Sequence, residues 1–258
     1  MPACRTGLYD AVMPDSQPAP VDVVLVHSSD LHVDDDRIAH AHGGDGTLGL
    51  AAVLACARAN NADIVLLVGD TFDNNRVPFS VVDRAGRLLA DAGRQVVILP
   101  GNHDPALPDS VFVRGGYATI PNVAVIGITH DEAVPLPAHE LEVWGHAHRD
   151  YENMVPLRGP RPRSTRWQIA VAHGHYEPPH NLATPLRPSW LFSDDAIDAT
   201  EADYLALGHW DRAVRVGNGG VPAYYSGSPE LAQTVNLIRL TPSGQVVVRR
   251  EPLRWDHS

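Results

Sequence analysis

Three short apolar segments constrain the fold of this chain more than any other feature of its sequence. They span residues 21–26, 64–68 and 96–99, a length typical of β-strands. Residues 48–60 and 77–92 separate them and carry apolar side chains at helical spacing. Nearly continuous apolar strands joined by helices predict a parallel sheet that is buried on both faces. The sequence therefore indicates an α/β fold.

Each apolar segment stops where aspartate, asparagine and histidine begin. The sequences at these ends are Asp30-Leu31-His32, Gly69-Asp70-Thr71-Phe72-Asp73 and Gly101-Asn102-His103-Asp104, and later strand candidates are followed by His173-Gly174 and Gly208-His209-Trp210-Asp211. The carboxyl ends of parallel strands meet at one edge of a sheet, where ligands bind in open α/β folds. Carboxylate, imidazole and amide groups together suit manganese, iron or zinc. The sequence thus predicts a metal site at this edge.

The second half of the chain is richer in strand patterns. Candidate strands cover residues 123–128, 141–144, 169–172, 204–207, 213–216, 223–225, 235–240 and 246–250. Pro242-Ser243-Gly244 is typical of a hairpin turn. Residues 149–166 hold five arginines and three prolines and are expected to form an exposed basic loop. This loop is either a strip that contacts phosphate or an ordinary solvated loop.

The composition excludes several classes of function. All 20 basic residues are arginine, so the chain has neither a P-loop lysine nor a lysine for a Schiff base. Cys4 and Cys56 are too few for a disulfide framework or a four-thiolate zinc site. The net charge of -11 arises within residues 1–148, and the whole chain lacks the strongly basic footprint of a nucleic-acid-binding protein.

Residues 1–20 contain four prolines and no long apolar run. We expect them to form a flexible tail before a single domain over residues 21–258. A signal peptide needs an apolar run of about 7–15 residues, and a membrane-spanning helix needs about 20. The chain shows neither pattern, which predicts a cytoplasmic protein without a membrane partner.

The order of the polar motifs resembles that of the calcineurin-like metallophosphoesterase superfamily. The sequences Tyr204-Leu205-Ala206-Leu207-Gly208-His209 and Tyr225-Ser226-Gly227-Ser228-Pro229-Glu230 make the chain most similar to SbcD-type DNA repair exonucleases. The resemblance covers residues 21–240 and implies a sandwich of two mixed β-sheets flanked by α-helices. It also implies hydrolysis of phosphodiester bonds by a metal-bound hydroxide, with DNA as the favoured substrate.

The resemblance also implies two divalent metal ions, with manganese favoured and iron, zinc or magnesium as alternatives. The expected ligands of the first ion are Asp30 and His32, those of the second are Asn102, His173 and His209, and Asp70 bridges the two. An aspartate suits a bridging position because its ionised carboxylate only accepts hydrogen bonds and has lone pairs on both oxygens. His103 corresponds to the family's histidine that stabilises or protonates the leaving oxygen, and Asp73 would orient it as a histidine–carboxylate pair.

Asp211 departs from the family pattern, which usually has a second histidine at this position. If Asp211 is a ligand, the first site contains one imidazole and three carboxylates and favours manganese or magnesium. If it is not, the first site is weak or empty. Asp211 could also act as a turn residue after a strand.

Other histidines receive structural interpretations. Gly145-His146-Ala147-His148 has the sequence of the family's final motif but precedes His173, so both of its histidines are expected in a loop near the mouth of the site. His27 ends an apolar strand and is expected to be a hydrogen-bonded core residue. We expect surface positions for His40, His42, His130, His139, His180 and His257, and for the aspartates of 34–36.

Two other functions stay open at this point. One is a phosphodiesterase or phosphatase acting on nucleotides or other small molecules, and the other is a non-catalytic binding protein with a decayed metal site. SbcD-type enzymes work with an SbcC-type ATPase partner and carry a C-terminal DNA-capping domain. The chain ends at Ser258, soon after the last strand candidate, so we expect that domain to be missing. The sequence leaves the oligomeric state open.

Overall fold

A computed structural model describes residues 21–152, 154–178 and 190–255, so the predicted tail over 1–20 lies outside the described residues. The strands are β1 Val23–Ser28, β2 Ile64–Val68, β3 Gln95–Leu99, β4 Val123–Val125, β5 Ala133–Leu136, β6 Leu141–Gly145, β7 Trp167–His173, β8 His175–Tyr176, β9 Leu191–Phe192, β10 Tyr204–Gly208, β11 Val214–Val216, β12 Ala223–Tyr225, β13 Thr234–Leu240 and β14 Val246–Pro252. The α-helices are α1 Asp36–Ala41, α2 Leu48–Ala59, α3 Phe79–Ala90, α4 Val111–Arg114, α5 Asp194–Asp198 and α6 Pro229–Ala232.

Twelve of these strands form two sheets of six. The first sheet has the order β14-β13-β1-β2-β3-β4, in which β1 to β4 are parallel and β13 pairs antiparallel with both β1 and β14. The second has the order β11-β12-β10-β7-β6-β5, with a parallel centre and an antiparallel strand at each edge. Strands β8 and β9 form a separate parallel pair. The predicted fold of two mixed sheets flanked by helices is confirmed.

The two sheets pack face to face and share one apolar core. Side chains such as Leu66 and Val97 from the first sheet meet Val143 and Ile169 from the second, and all four are at most 2% exposed. The outer face of the first sheet packs against α2 and α3 in a second core. Burial on both faces explains why the central strands have nearly continuous apolar sequences.

The predicted helices form close to their expected limits, and the hairpin between β13 and β14 is present. The strand expected over 123–128 instead ends at Val125, because the Thr129 side chain accepts the Val125 N–H at 2.8 Å and the chain turns at Gly127 with φ 85°. The aspartates of 34–36 do not form a simple surface loop. Asp36 begins α1, and the Asp35 carboxylate caps it by accepting the N–H of Ile38 at 2.9 Å.

Two histidine predictions have different outcomes. His27 is fully buried between the sheets, where Nδ1 lies 3.0 Å from the Tyr204 hydroxyl and Nε2 lies 3.2 Å from the Leu207 carbonyl. This confirms the expected hydrogen-bonded core residue. The surface position expected for His42 is wrong. Its side chain is 10% exposed, its Nε2 lies 2.7 Å from Oε1 of Glu230, and its ring stacks on Trp255.

Among the described residues, no helix combines the length and apolar character that crossing a bilayer requires.

Candidate metal centre

The site forms where the carboxyl ends of strands from both sheets approach one another. The two sheets come so close here that a Cβ on Gly208 would lie 1.8 Å from the Val68 carbonyl oxygen. A Cβ on Gly69 would similarly lie 1.9 Å from Nδ1 of His173. Glycine is therefore required at both positions, because it lets the end of β2 pack directly against β7 and β10.

Four of the predicted ligands have backbone conformations that residues other than glycine rarely adopt. Asp30, His32, Asp70 and His209 have φ values of 55°, 43°, 50° and 104°. Each such residue costs about 1 kcal/mol or more, so its neighbours must hold it in place. Backbone strain concentrated at strand ends is typical of functional sites.

The first group of side chains, which we call the inner cluster, comprises Asp70, Asn102, His173 and His209. Nε2 of His173 lies 3.1 Å from Oδ2 of Asp70 and 3.1 Å from Oδ1 of Asn102. Nδ1 of the same ring lies 3.0 Å from the Val68 carbonyl, so Nδ1 carries a hydrogen and donates it. In the neutral ring, Nε2 then faces two acceptor oxygens with its lone pair. A cation fits this arrangement of acceptors.

His209 completes the inner cluster from the end of β10. Its ring centroid is 5.4 Å from that of His173, and the possible ligand atoms of His209, His173 and Asp70 lie within 4.8 Å of one another. Burial lowers the pKa of His209 to about 3, with a further contribution from the neighbouring His173. The ring is therefore neutral near pH 7, which is the form that binds metal ions.

Charges inside the inner cluster are strongly coupled. Burial alone would disfavour the charged form of His173, but the adjacent Asp70 carboxylate outweighs it and raises the pKa of His173 to about 9. Burial similarly opposes the ionised form of Asp70, yet contact with His173 keeps the pKa of this carboxyl well below its usual range. In the metal-free protein, a proton on His173 thus supplies positive charge at a place suited to a cation.

The second group, which we call the outer cluster, comprises Asp30 and His32, and Asp211 lines the cleft beside them. Possible ligand atoms of Asp30, His32 and Asp70 lie within 4.8 Å of one another, and Nε2 of His32 is 4.0 Å from Oδ2 of Asp70. Asp30 is 3% exposed, and its carboxylate accepts the backbone N–H of His209 at 3.0 and 3.1 Å. Asp70 is therefore a potential ligand both with His173 and His209 and with Asp30 and His32.

Asp211 lies apart from the other predicted ligands. It lines the same cleft as Asp30 and His32, but its side chain is exposed. It belongs to none of the potential metal-binding groups formed by the described residues. Its backbone carbonyl accepts the N–H of Ser228 at 3.3 Å, which joins the loop after β10 to the segment that precedes α6.

His103 and Asp73 do meet, although the contact differs from the expected histidine–carboxylate pair. Nδ1 of His103 lies 2.8 Å from the backbone carbonyl of Asp73, whereas the Asp73 carboxylate lies 3.6 Å from Nδ1 of His32. The backbone N–H of His103 donates to Asp70 at 2.9 Å. His103 is therefore positioned by the main-chain carbonyl of Asp73 and by a carboxylate oxygen of Asp70, and it lines an open cleft.

Two buried residues that support the site had no role in the sequence-based prediction. The Asp104 carboxylate accepts the N–H groups of Phe72 and Gly101 at 3.0 and 2.7 Å and so joins the loops after β2 and β3. Burial and the nearby Asp70 raise the pKa of Asp104 to about 6. His148, expected near the mouth, is instead fully buried behind the inner cluster, with Nε2 2.9 Å from the His173 carbonyl. The GNHD sequence signalled Asp104, whereas nothing local signalled the position of His148.

The arginines of 149–166 are largely engaged elsewhere. Four of them lie within 4.0 Å of a carboxylate, namely Arg149, Arg161, Arg163 and Arg166. This pairing favours a solvated loop over a strip that contacts phosphate. His146 likewise lies in the loop after β6, with Nδ1 3.2 Å from Glu132.

A cleft of about 370 Å³ opens from the outer cluster. It is lined by the predicted site residues Asp30, His32, Asp73, His103 and Asp211, and also by Asp35, Arg37, Ile38, Ala41, Ser228, Glu230 and Leu231. Its volume lies within the range of about 300–1,000 Å³ that is usual for small-ligand pockets.

Comparison with known proteins points to one family. The sequence profile of the Calcineurin-like phosphoesterase family matches residues 23–212. The SbcD subunits of the SbcCD nucleases from Escherichia coli K12 and Escherichia coli O157:H7 are each 24% identical over 245 residues. The match covers 80% of this chain but only 60% of the length of those relatives.

Solved structures support the fold alone. The crystal structure of TT1561 from Thermus thermophilus has a TM-score of 0.56 at 12% identity, covering 88% of this chain and 98% of that one. A second crystal structure has a TM-score of 0.57 at 15% identity, covering 89% and 99%. Because the family profile spans well over half of the sequence, the chain belongs to the calcineurin-like phosphoesterase family and is a metal-dependent phosphoesterase.

Proposed function

We propose that the chain is a phosphodiesterase with two metal ions that cleaves nucleic acid strands. The observation that carries this proposal is the shared position of Asp70 between two potential ligand groups, of which the one with Asp30 and His32 borders an open cleft. Asn102, His173 and His209 would hold one ion with Asp70, and Asp30 and His32 would hold the other. Two divalent cations bound there would activate water and offset the charge of the phosphate.

His103 is the proposed catalytic acid. In the protonated ring, Nδ1 donates to the Asp73 carbonyl and Nε2 carries the proton that passes to the leaving oxygen, after which the ring is neutral with its hydrogen on Nδ1. Asp73 is therefore proposed as the residue that positions His103. Its carboxylate, 3.6 Å from His32, would also orient that ligand.

Nucleic acid is proposed as the substrate because the matched curated relatives are named as nuclease subunits. We propose manganese as the metal, since the donor set combines the oxygen atoms of Asp30, Asp70 and Asn102 with three histidine nitrogens, a mixture that manganese accepts. Any ATP-driven step would reside on a partner chain of the SbcC type, because this sequence contains no lysine for a P-loop.

A small phosphodiester is the second candidate substrate. The size of the cleft and its acidic wall, which includes Asp35, Asp211 and Glu230, favour it over a long duplex. Repulsion between these carboxylates and a polyanion would weaken duplex binding, most strongly at low salt.

Hydrolysis assays with the manganese-loaded protein separate these possibilities. The substrates are linear duplex DNA, bis(p-nitrophenyl) phosphate and p-nitrophenyl phosphate. We expect cleavage of the DNA and of the diester, with slower turnover of the monoester. Fast diester turnover without release of nucleotides from DNA would contradict the nuclease proposal. A protein that hydrolyses none of the three would instead indicate a binding function with a decayed site.

The His103→Ala variant tests the acid. We expect turnover of the diester to fall by about 10²–10⁴-fold, as for loss of a general acid, while the bound manganese stays unchanged. His139→Ala is the matched control, because His139 lines a different cleft. Wild-type activity in His103→Ala would rule out its role as the acid.

A further inference from the structure

The cleft beside the metal centre contains a cationic side chain that the proposed chemistry does not use. Arg37 lies on α1, is exposed, and lines the cleft together with His103. Its guanidinium has no ion-pair or hydrogen-bond partner within 21–152, 154–178 and 190–255. Among the described residues that line this cleft, Arg37 is the one arginine. An arginine fork in this state matches the geometry of a phosphate group.

Ser228 supplies an independent sign of a ligand in the same cleft. It is 4% exposed, and its hydroxyl has no hydrogen-bond partner among the described residues. Although Ser228 immediately precedes α6, the hydroxyl makes no capping bond to that helix. A buried polar group without a partner is costly, and rotation about χ1 would bring the buried hydroxyl to a ligand that fills the cleft.

The carboxylates beside Arg37 already have partners in two cases. The Asp35 side chain caps α1, and the Glu230 side chain lies 2.7 Å from Nε2 of His42. Both carboxylates keep their charge, but neither forms an ion pair with Arg37. This arrangement leaves the arginine able to attract an anion despite the acidic surroundings.

Apolar side chains occupy the wall between these polar groups. Ile38 and Ala41 come from α1, and Leu231, which is 63% exposed, comes from α6. A sugar and the face of a base are non-polar groups of suitable size for such a wall. The cleft thus offers an apolar surface with a phosphate-binding arginine and a hydroxyl beside it.

We infer that this cleft binds the leaving part of an oligonucleotide, with Arg37 and Ser228 holding the phosphate next to the scissile one. The inference rests on the proposed function, since it assigns the substrate class of the same site. His103 lines this cleft, so the group whose oxygen it protonates would lie here. A terminal phosphate on a dinucleotide should therefore strengthen binding through Arg37.

The test compares three dinucleotides that share a non-cleavable methylphosphonate linkage. One lacks a terminal phosphate, one carries it at the 5′ end and one at the 3′ end. Their affinities for the manganese-loaded protein are measured by calorimetry. We expect one of the two terminal phosphates to tighten binding by about tenfold to a hundredfold, as for a charge-assisted hydrogen bond.

Variants of Arg37 and Ser228 test which side chains cause the tighter binding of the terminal phosphate. Arg37→Ala should abolish it, Arg37→Lys should retain part of it, and Ser228→Ala should reduce it by a smaller factor. Arg58→Ala is the matched control, because Arg58 is exposed on α2 and lines a different cleft. Each of the three ligands should bind the control as tightly as it binds the wild type.

Two results would overturn the inference. The first is that neither terminal phosphate tightens binding to the wild type. The second is a gain that persists in Arg37→Ala, which would place the terminal phosphate at the metal centre instead. Turnover of bis(p-nitrophenyl) phosphate by the same preparations keeps the two proposals separate. If the diester is hydrolysed but a terminal phosphate does not tighten binding, only the assignment of the cleft is wrong. If the diester is not hydrolysed, the proposed function is contradicted, and the dinucleotide affinities alone test the assignment of the cleft.

Discussion

The inner and outer clusters differ in how firmly the protein holds them before any ion binds. In the inner cluster, His173 contacts both Asp70 and Asn102 at 3.1 Å, and its other ring nitrogen is fixed by the Val68 carbonyl. In the outer cluster, the shortest distance from the ring of His32 to Asp70 is 4.0 Å, and Asp211 beside the cluster is exposed. The inner cluster is therefore the more preorganised of the two.

The difference follows from the elements that carry each cluster. In the inner cluster, His173 is the last residue of β7 and His209 directly follows β10, whereas Asp70 and Asn102 follow β2 and β3 by two and three residues; all four strands are central in their sheets. Asp30 and His32 follow β1 on a loop, and Asp211 lies three residues beyond β10. Ligands on rigid strand ends lose little entropy when an ion binds, whereas loop ligands lose more. We therefore propose that the inner cluster binds its ion more tightly.

Replacement of the shared ligand should have the largest effect, because it breaks both clusters at once. Asp70→Asn should lower diester turnover by about a thousandfold or more, since bound metal ions contribute several kcal/mol to such reactions. Manganese content should fall at both sites when measured by elemental analysis. Asp91→Asn, at an exposed aspartate after α3, is the control. Two ions retained in Asp70→Asn would contradict the bridging role.

The charge of the inner cluster should make the stability of the metal-free protein depend on pH in two directions. His173 has a pKa of about 9, above its unfolded value, so its contribution is complete below pH 6.5 and is lost as the pH rises towards 9. His209 has a pKa of about 3, so its contribution is complete above pH 6.5 and is lost as the pH falls towards 3. Stability should therefore be greatest near pH 6.5.

Urea denaturation in the presence of a chelator measures this dependence. We expect the free energy of unfolding to fall by roughly 2 kcal/mol between pH 6.5 and 8.5. Saturating manganese should reduce the alkaline loss, because the ion then replaces the proton on His173. An unchanged stability from pH 6.5 to 8.5 without metal would show that His173 is not protonated in the folded protein.

Addition of a histidine to the outer cluster should reduce the difference between the two clusters. Asp211→His should tighten binding of the weaker ion by about tenfold, given that even indirect partners of a metal change affinity by about 10–100-fold. Asp211→Ala should bind manganese like the wild type if the exposed carboxylate is not a ligand. Calorimetric titration with manganese measures both. Loss of an ion in Asp211→Ala would show that Asp211 is a ligand after all.

Much of this site could be predicted from sequence because its signals are local. A strand buried on both faces is continuously apolar, and the polar residues that follow it, such as Asp30 and Asp70, mark where it ends. The contact between His103 and the Asp73 carbonyl could not be predicted in this way. A sequence pattern identifies side chains, whereas this contact uses the main chain of Asp73. The burial of His148 could not be predicted either, since its motif resembles one that provides ligands elsewhere in the family.

The sequence by itself determined the fold class, the strand ends and the chemical types available for a metal centre, because periodicity and residue identity are properties of short segments. Only the tertiary structure decided which of these residues meet. His173 reaches Asn102 across 71 positions of the chain and Val68 across 105, through packing of one sheet against the other. The same packing left Asp211 outside the ligand groups and Arg37 without a partner among the described residues, because which side chains are neutralised depends on contacts between distant segments.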